Sequence, residues 1–174
     1  MKKLAIVLAL CLTLTCILAG CGTKPVERSG ATACIPSPLR ETDPDGLMEQ
    51  LGLRFGTVDN AENVMYFVVA DTLGEMDFTV DGIDLCARVQ PATEFTDISG
   101  MYYDFETEED IAVGSCSGKR LYHEGENESA EVILWFDTAP GIMYSLSGQG
   151  EDLSGIDFTA IAEQVYSPMQ GNAG

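Results

Sequence analysis

The chain has few basic side chains, one histidine and one tryptophan. Its 174 residues hold nine Lys and Arg against 28 Asp and Glu, which gives a formal net charge of −19. This imbalance excludes a nucleic-acid partner, because phosphate binding needs clustered Lys and Arg. A single histidine, His123, also disfavours a zinc site, which is built from Cys and His at set spacings. We therefore expect no metal and no cofactor.

The chain also lacks an apolar run long enough to be a typical membrane-spanning helix. The run from Leu4 to Ala19 has 16 residues, whereas a spanning helix needs about 20. It follows the positive start Met1-Lys2-Lys3, as the apolar part of a signal peptide does. We expect residues 1–20 to be a signal peptide. An uncleaved N-terminal anchor helix is the alternative, and both place the remaining chain outside the cytoplasm.

The apolar run ends in Leu18-Ala19-Gly20-Cys21, which resembles the lipobox of bacterial lipoproteins. The resemblance implies cleavage between Gly20 and Cys21, which makes Cys21 the new N-terminus, with a diacylglyceryl group on the Cys21 sulfur whose two acyl chains are fatty acids such as palmitate. Two acyl chains are enough for stable attachment. The expected location is the extracytoplasmic face of the cell membrane, and the expected membrane contact is through these chains.

Residues 21–42 read as a flexible tether, because they contain several prolines and no hydrophobic period. A single domain over residues 43–170 follows. Asp43 is a typical N-cap residue, Pro44 suits the first position of a helix, and Gly52 suits the end of one. We therefore predict a helix from Pro44 to Leu51.

The clearest local pattern is the turn Asp81-Gly82, which predicts a two-residue β-hairpin over residues 75–90. Its register puts apolar residues on one face and mostly polar residues on the other, with Cys86 on the polar face. The six apolar residues from Met65 to Ala70 predict a strand buried on both faces. Residues 101–107 are a further candidate strand, while residues 111–122 are ambiguous.

Later segments complete the predicted sheet. Residues 132–136 form an apolar strand, and Ile142, Tyr144 and Leu146 share one face of the next strand. Residues Phe158 to Val165 have apolar side chains at helical spacing, which predicts a C-terminal helix. These patterns predict an α+β fold: an antiparallel sheet of about five to seven strands, with a short N-terminal helix and a C-terminal helix packed on one face.

Three cysteines remain after the signal peptide and Cys21 are set aside: Cys34, Cys86 and Cys116. Three is an odd number, so at least one thiol is unpaired within the chain. Cys86 with Cys116 is the candidate disulfide, and three unpaired small residues are the alternative.

Two segments carry possible chemistry. Residues 114–118 have the Gly-x-Cys-x-Gly form of a nucleophile elbow, with Cys116 as nucleophile, but no helix start follows and His123 lies only seven residues later. The acidic residues between 104 and 110 could bind Ca²⁺, although EF-hand spacing is missing and a solvated acidic edge is the simpler interpretation.

The segments 61–66, 97–102, 132–137, 141–146 and 158–163 together resemble an uncharacterised bacterial envelope domain, found in lipoproteins and in membrane proteins related to anti-sigma regulators. That family is distantly similar to periplasmic lipoprotein carriers, which implies a curved sheet holding helices. It supplies no catalytic residue.

We therefore predict a lipid-anchored extracytoplasmic binding or sensing domain that is not an enzyme, is a monomer and has an envelope protein as possible partner. One alternative is a carrier of an apolar ligand, such as a lipid, held between sheet and helices by Phe78, Leu85, Trp135 and Tyr144. A Cys116-dependent hydrolase is the second alternative.

Overall fold

The computed structural model describes residues 38–168, which form one antiparallel sheet of eight strands and two helices. The strands are β1 (Leu39–Thr42), β2 (Glu62–Val69), β3 (Leu73–Val80), β4 (Ile83–Pro91), β5 (Thr107–Val113), β6 (Cys116–Glu124), β7 (Ser129–Asp137) and β8 (Ile142–Gly150), and the helices are α1 (Pro44–Leu51) and α2 (Phe158–Val165). Their order across the sheet is β1-β2-β3-β4-β8-β7-β6-β5. The α+β class is as predicted, but eight strands exceed the expected five to seven.

The β3–β4 hairpin has the predicted register. Val80 lies opposite Ile83, and Asp77 lies opposite Cys86. Asp81 and Gly82 both have positive φ, as a two-residue turn of this type requires. The hairpin therefore presents one apolar face and one polar face at the centre of the sheet.

Both helices pack on the apolar face. Helix α1 has the predicted bounds: the side chain of Asp43 caps it, and Gly52 ends it with φ +68°. Helix α2 buries Phe158, Ile161, Ala162 and Val165. The core between sheet and helices is continuous, and Trp135 stacks on Tyr144 within it, with ring centroids 5.2 Å apart.

A second, smaller core lies on the opposite face. Residues 92–106 cross this face without helix or strand and place Ile98, Met101 and Phe105 over β7 and β8. The prediction of a strand over residues 101–107 was therefore wrong, because only Thr107 belongs to β5. The ambiguous residues 111–122 are the β5–β6 hairpin, in which Val113 pairs with Cys116.

Two further expectations need correction. Residues 39–42, predicted to be part of the tether, form edge strand β1, because their backbone pairs with β2 from Leu39 opposite Val69 to Thr42 opposite Tyr66. Strand β2 is not buried on both faces, since Met65 is 47% exposed. The pairing of β1 with β2 runs from Val69 to Tyr66 and stops before Met65.

Candidate functional site

A groove of about 470 Å³ opens on the sheet face opposite the helices. Its polar side chains come from neighbouring strands, and two methionines line it as well. The side chains exposed to the groove are those of Asn63, Met65, Asp77, Thr79, Asp84, Cys86, Met101, Ser147 and Gln149. We call this the acidic groove, because its only charged lining residues are Asp77 and Asp84.

Strand register builds the floor of the acidic groove. Met65 lies opposite Asp77, Asp77 opposite Cys86, and Cys86 opposite Ser147. Directly opposed side chains project from the same face of a sheet. These four side chains therefore form one row that crosses β2, β3, β4 and β8.

A β-bulge shapes the end of the groove at β2. The register between β2 and β3 shifts between Glu62 and Met65, and Asn63 has φ +53°. Asparagine tolerates this left-handed conformation better than most residues. The bulge brings the Asn63 side-chain amide to within 3.5 Å of the Thr79 hydroxyl, which itself donates to the Asp84 carboxylate at 2.8 Å.

The wall of the groove is fixed to the sheet by Arg88. Its Nε donates to the buried Glu75 carboxylate at 2.7 Å, and its Nη1 donates to the Ser99 carbonyl at 2.8 Å and the Ile98 carbonyl at 3.3 Å. The Ser99 hydroxyl then accepts from the Met101 backbone N–H at 3.2 Å. This chain of contacts sets Met101 beside the groove.

The acidic groove is electrostatically unbalanced. Arg88 neutralises Glu75, whereas no Lys or Arg lines the groove beside Asp77 or Asp84. Burial raises the pKa of Asp77, although a hydrogen bond from the Cys86 thiol works in the other direction. Burial also raises the pKa of Cys86, as do the neighbouring Glu75 and Asp77 carboxylates. Cys86 is thus a neutral thiol donor to Asp77 rather than a nucleophile.

Glu75, Asp77 and Cys86 are the group of possible metal ligands found among residues 38–168, with ligand atoms within 4.8 Å of one another. The guanidinium of Arg88 already binds Glu75, and a cation there opposes a metal ion. Thiolate coordination would also require loss of a proton that the surroundings retain. The donor set fits a bare metal ion poorly.

The four residues predicted to line an apolar ligand site lie in the filled core instead. Phe78, Leu85, Trp135 and Tyr144 are each at most 3% exposed and pack in the helix-side cluster. Their side chains contact one another and α2, so they act as structural core. Phe78 and Leu85 also border the acidic groove, although the alternation along β3 and β4 points their side chains to the helix-side face.

The Cys116 nucleophile is not assembled. Gly114 and Ser115 form a hairpin turn rather than a strand-to-helix elbow, and Cys116 is 5% exposed in the core. His123 lies seven residues along the same strand, roughly 23 Å away. Its Nδ1 contacts the Glu106 carboxylate at 3.0 Å. Among the acidic residues from 104 to 110, Glu108 also forms an ion pair, with Lys119 of the neighbouring strand β6.

The candidate disulfide between Cys86 and Cys116 is not formed, and both thiols are free. Cys86 faces the acidic groove, whereas Cys116 belongs to the helix-side core. The sheet separates them, so their side chains cannot meet.

Gly20, Cys21 and Cys34 lie outside the described residues, so lipidation and cleavage stay predictions. Over residues 38–168 no helix has the length and apolar character to cross a membrane. No family model, curated protein or solved structure matches the chain.

Sequence reasoning located half of the acidic groove without recognising it as a site. The polar face of the β3–β4 hairpin, with Asp77, Asp84 and Cys86, follows from the alternation around Asp81-Gly82. Met65 and Met101 were missed, because one was assigned to a buried strand and the other to a strand that does not form. The sequence feature that could have indicated the groove is a polar hairpin face at the centre of a sheet.

Proposed function

We propose that this chain is a lipid-anchored extracytoplasmic binding domain that takes its ligand in the acidic groove and performs no catalysis. The observation that carries the proposal is the groove itself: a concave site on the sheet whose lining combines two carboxylates with two methionine side chains. Ligand sites typically combine apolar lining with a few placed polar groups, in volumes of about 300–1,000 Å³. The N-terminal segment ending at Cys21 supports the anchor.

The described domain begins with edge strand β1 at Leu39, and the groove lies across β2, β3, β4 and β8. The excess of acidic residues repels an anionic membrane surface over about 8 Å at physiological salt. We expect the domain to project from the bilayer, with its groove open to the envelope.

Anchoring is tested with the full chain expressed in a bacterium and labelled with an alkyne analogue of palmitate. The parent chain should incorporate label and sediment with membranes, while Cys21→Ser should stay unlabelled. Cys34→Ser is the matched control and should behave as the parent chain does. Equal labelling of parent and Cys21→Ser would refute the lipid anchor.

Ligand binding is tested with methyl-labelled methionine in the full chain purified from membranes. Met65 and Met101 line the groove, whereas Met48 lies on α1 and Met76 in the helix-side core. A small-molecule extract of the envelope should shift the Met65 and Met101 methyl resonances, each assigned by Met→Leu substitution, and leave Met48 and Met76 in place. Failure of any extract fraction to shift Met65 and Met101 would refute the binding function.

A further inference from the structure

We infer that the acidic groove binds a small organic cation: an ammonium group that contacts Asp77 and Asp84, carried on an aliphatic body that contacts Met65 and Met101. This inference rests on the proposed binding function and specifies its ligand class. Two features of the groove carry it, the placement of its charges and the placement of its apolar side chains.

The two carboxylates are close enough to share one ammonium group. Asp77 lies opposite Cys86 and Thr79 lies opposite Asp84, so the two aspartates are diagonal neighbours on one face of paired strands. Such neighbours have Cα atoms about 7–8 Å apart, with β-carbons somewhat closer. Each carboxylate extends over the floor from there. An ammonium between them can hydrogen-bond to an oxygen of each.

The protein compensates the charge on these carboxylates only in part. Asp84 accepts from the neutral Thr79 hydroxyl at 2.8 Å, and Asp77 accepts from the neutral Cys86 thiol. The guanidinium of Arg88 attracts Asp77 electrostatically, but its ion pair is with Glu75. A cationic ligand would supply the missing counter-charge, and charge-assisted hydrogen bonds are roughly twice as strong as neutral ones.

The aliphatic body of the ligand is inferred from the two methionine side chains that line the groove. Met65 is 47% exposed on the floor, and Met101 stands on the opposite wall. Thioether side chains adapt to aliphatic groups of varied shape. The one aromatic lining residue, Phe78, is 3% exposed and packs in the helix-side core, which favours a primary ammonium over the quaternary ammonium that aromatic cages select.

The test uses the full lipidated chain in a neutral detergent, with the methionine methyl resonances and calorimetry as readouts. n-Pentylamine should bind and shift Met65 and Met101. 1-Pentanol has the same body without charge, and methylammonium has the charge without the body, so both should bind at least about tenfold more weakly. Asp77→Asn should weaken n-pentylamine binding about tenfold, whereas Asp110→Asn, on exposed strand β5, should change it less than twofold.

The outcomes separate this inference from the proposed function. If 1-pentanol or pentanoate shifts Met65 and Met101 at least as strongly as n-pentylamine, the groove binds ligands but the cation assignment is wrong. Tighter binding of CaCl₂, or of a lysine-rich peptide with no response to n-pentylamine, also overturns the assignment. If no amine and no envelope extract shifts these methyl groups, both proposals fail.

Discussion

Arg88 holds the buried carboxylate of Glu75 at 2.7 Å and simultaneously bonds to two carbonyls of the 92–106 segment. One guanidinium thus joins strand β4, strand β3 and the wall of the acidic groove. Glu75 is 6% exposed, so it depends on Arg88 for its charge compensation. The pair is the structural support of the site.

Arg88→Met should destabilise the chain strongly. The substitution leaves Glu75 buried without a cation, and breaking a buried ion pair costs about 3–5 kcal/mol of folding stability. Because Arg88 is partly exposed, we expect a loss of about 2 kcal/mol here. Urea denaturation should show this loss in the free energy of unfolding. Arg40→Met is the control, since Arg40 and Asp71 form an exposed pair that contributes less than about 1 kcal/mol.

The double variant Arg88→Met with Glu75→Gln gives a second check on the same pair. Removing the stranded charge should recover part of the stability that Arg88→Met loses, because an amide is less costly to bury than a carboxylate. If Arg88→Met costs no more than Arg40→Met, Glu75 does not depend on Arg88.

Gly100→Ala should loosen the wall of the groove. Gly100 has φ +73°, and a β-carbon there would overlap Nη1 of Arg88. Backbone strain and displacement of Arg88 should together cost about 1–3 kcal/mol. Hydrogen exchange should become faster at the Ser99 and Met101 amides. Gly155→Ala is the control, because nothing lies within 4 Å of the added carbon. Equal effects of the two substitutions would contradict this role for Gly100.

The sequence predicted well the elements that depend on local chemistry. The turn Asp81-Gly82 and the alternation around it determine the β3–β4 register, and Asp43, Pro44 and Gly52 determine helix α1. In each case a few neighbouring residues carry the whole signal, because turn and cap conformations depend on single side chains.

The acidic groove could not be predicted completely, because non-local contacts form it. An apolar run such as 65–70 indicates a strand but not which neighbours cover each face, and here the end at Met65 stays uncovered. The path of residues 92–106 depends on Arg88 bonding to backbone carbonyls, which have no sequence signature. Edge strand β1 joins the sheet through backbone pairing as well.

Both described thiols should react slowly with iodoacetamide at neutral pH. The surroundings raise the pKa of Cys86, and Cys116 is 5% exposed in the core. Mass spectrometry should show alkylation at both positions only after denaturation. Asp77→Asn should accelerate the reaction at Cys86, since it removes a negative charge that opposes the thiolate, but not at Cys116. Rapid alkylation of Cys86 in the native parent chain would contradict this electrostatic description.

Asp77→Asn should leave the ligand-free chain as stable as the parent at neutral pH, or more stable. A folded-state pKa raised above the ordinary value of 3.8 means that the folded chain holds this proton more tightly than the unfolded chain. Ionised Asp77 therefore costs stability, and the cost disappears as the pH falls through the raised pKa.

Thermal denaturation between pH 7 and pH 4 measures this effect directly. The parent chain should gain stability relative to Asp77→Asn as the pH falls, because only the parent can take up the proton. Asp110→Asn serves as the control and should not reproduce this pattern. A carboxylate that weakens the free fold yet strengthens ligand binding is what a binding site requires, since the ligand supplies the charge compensation that the fold omits. Large destabilisation by Asp77→Asn at pH 7 would instead identify Asp77 as a structural residue.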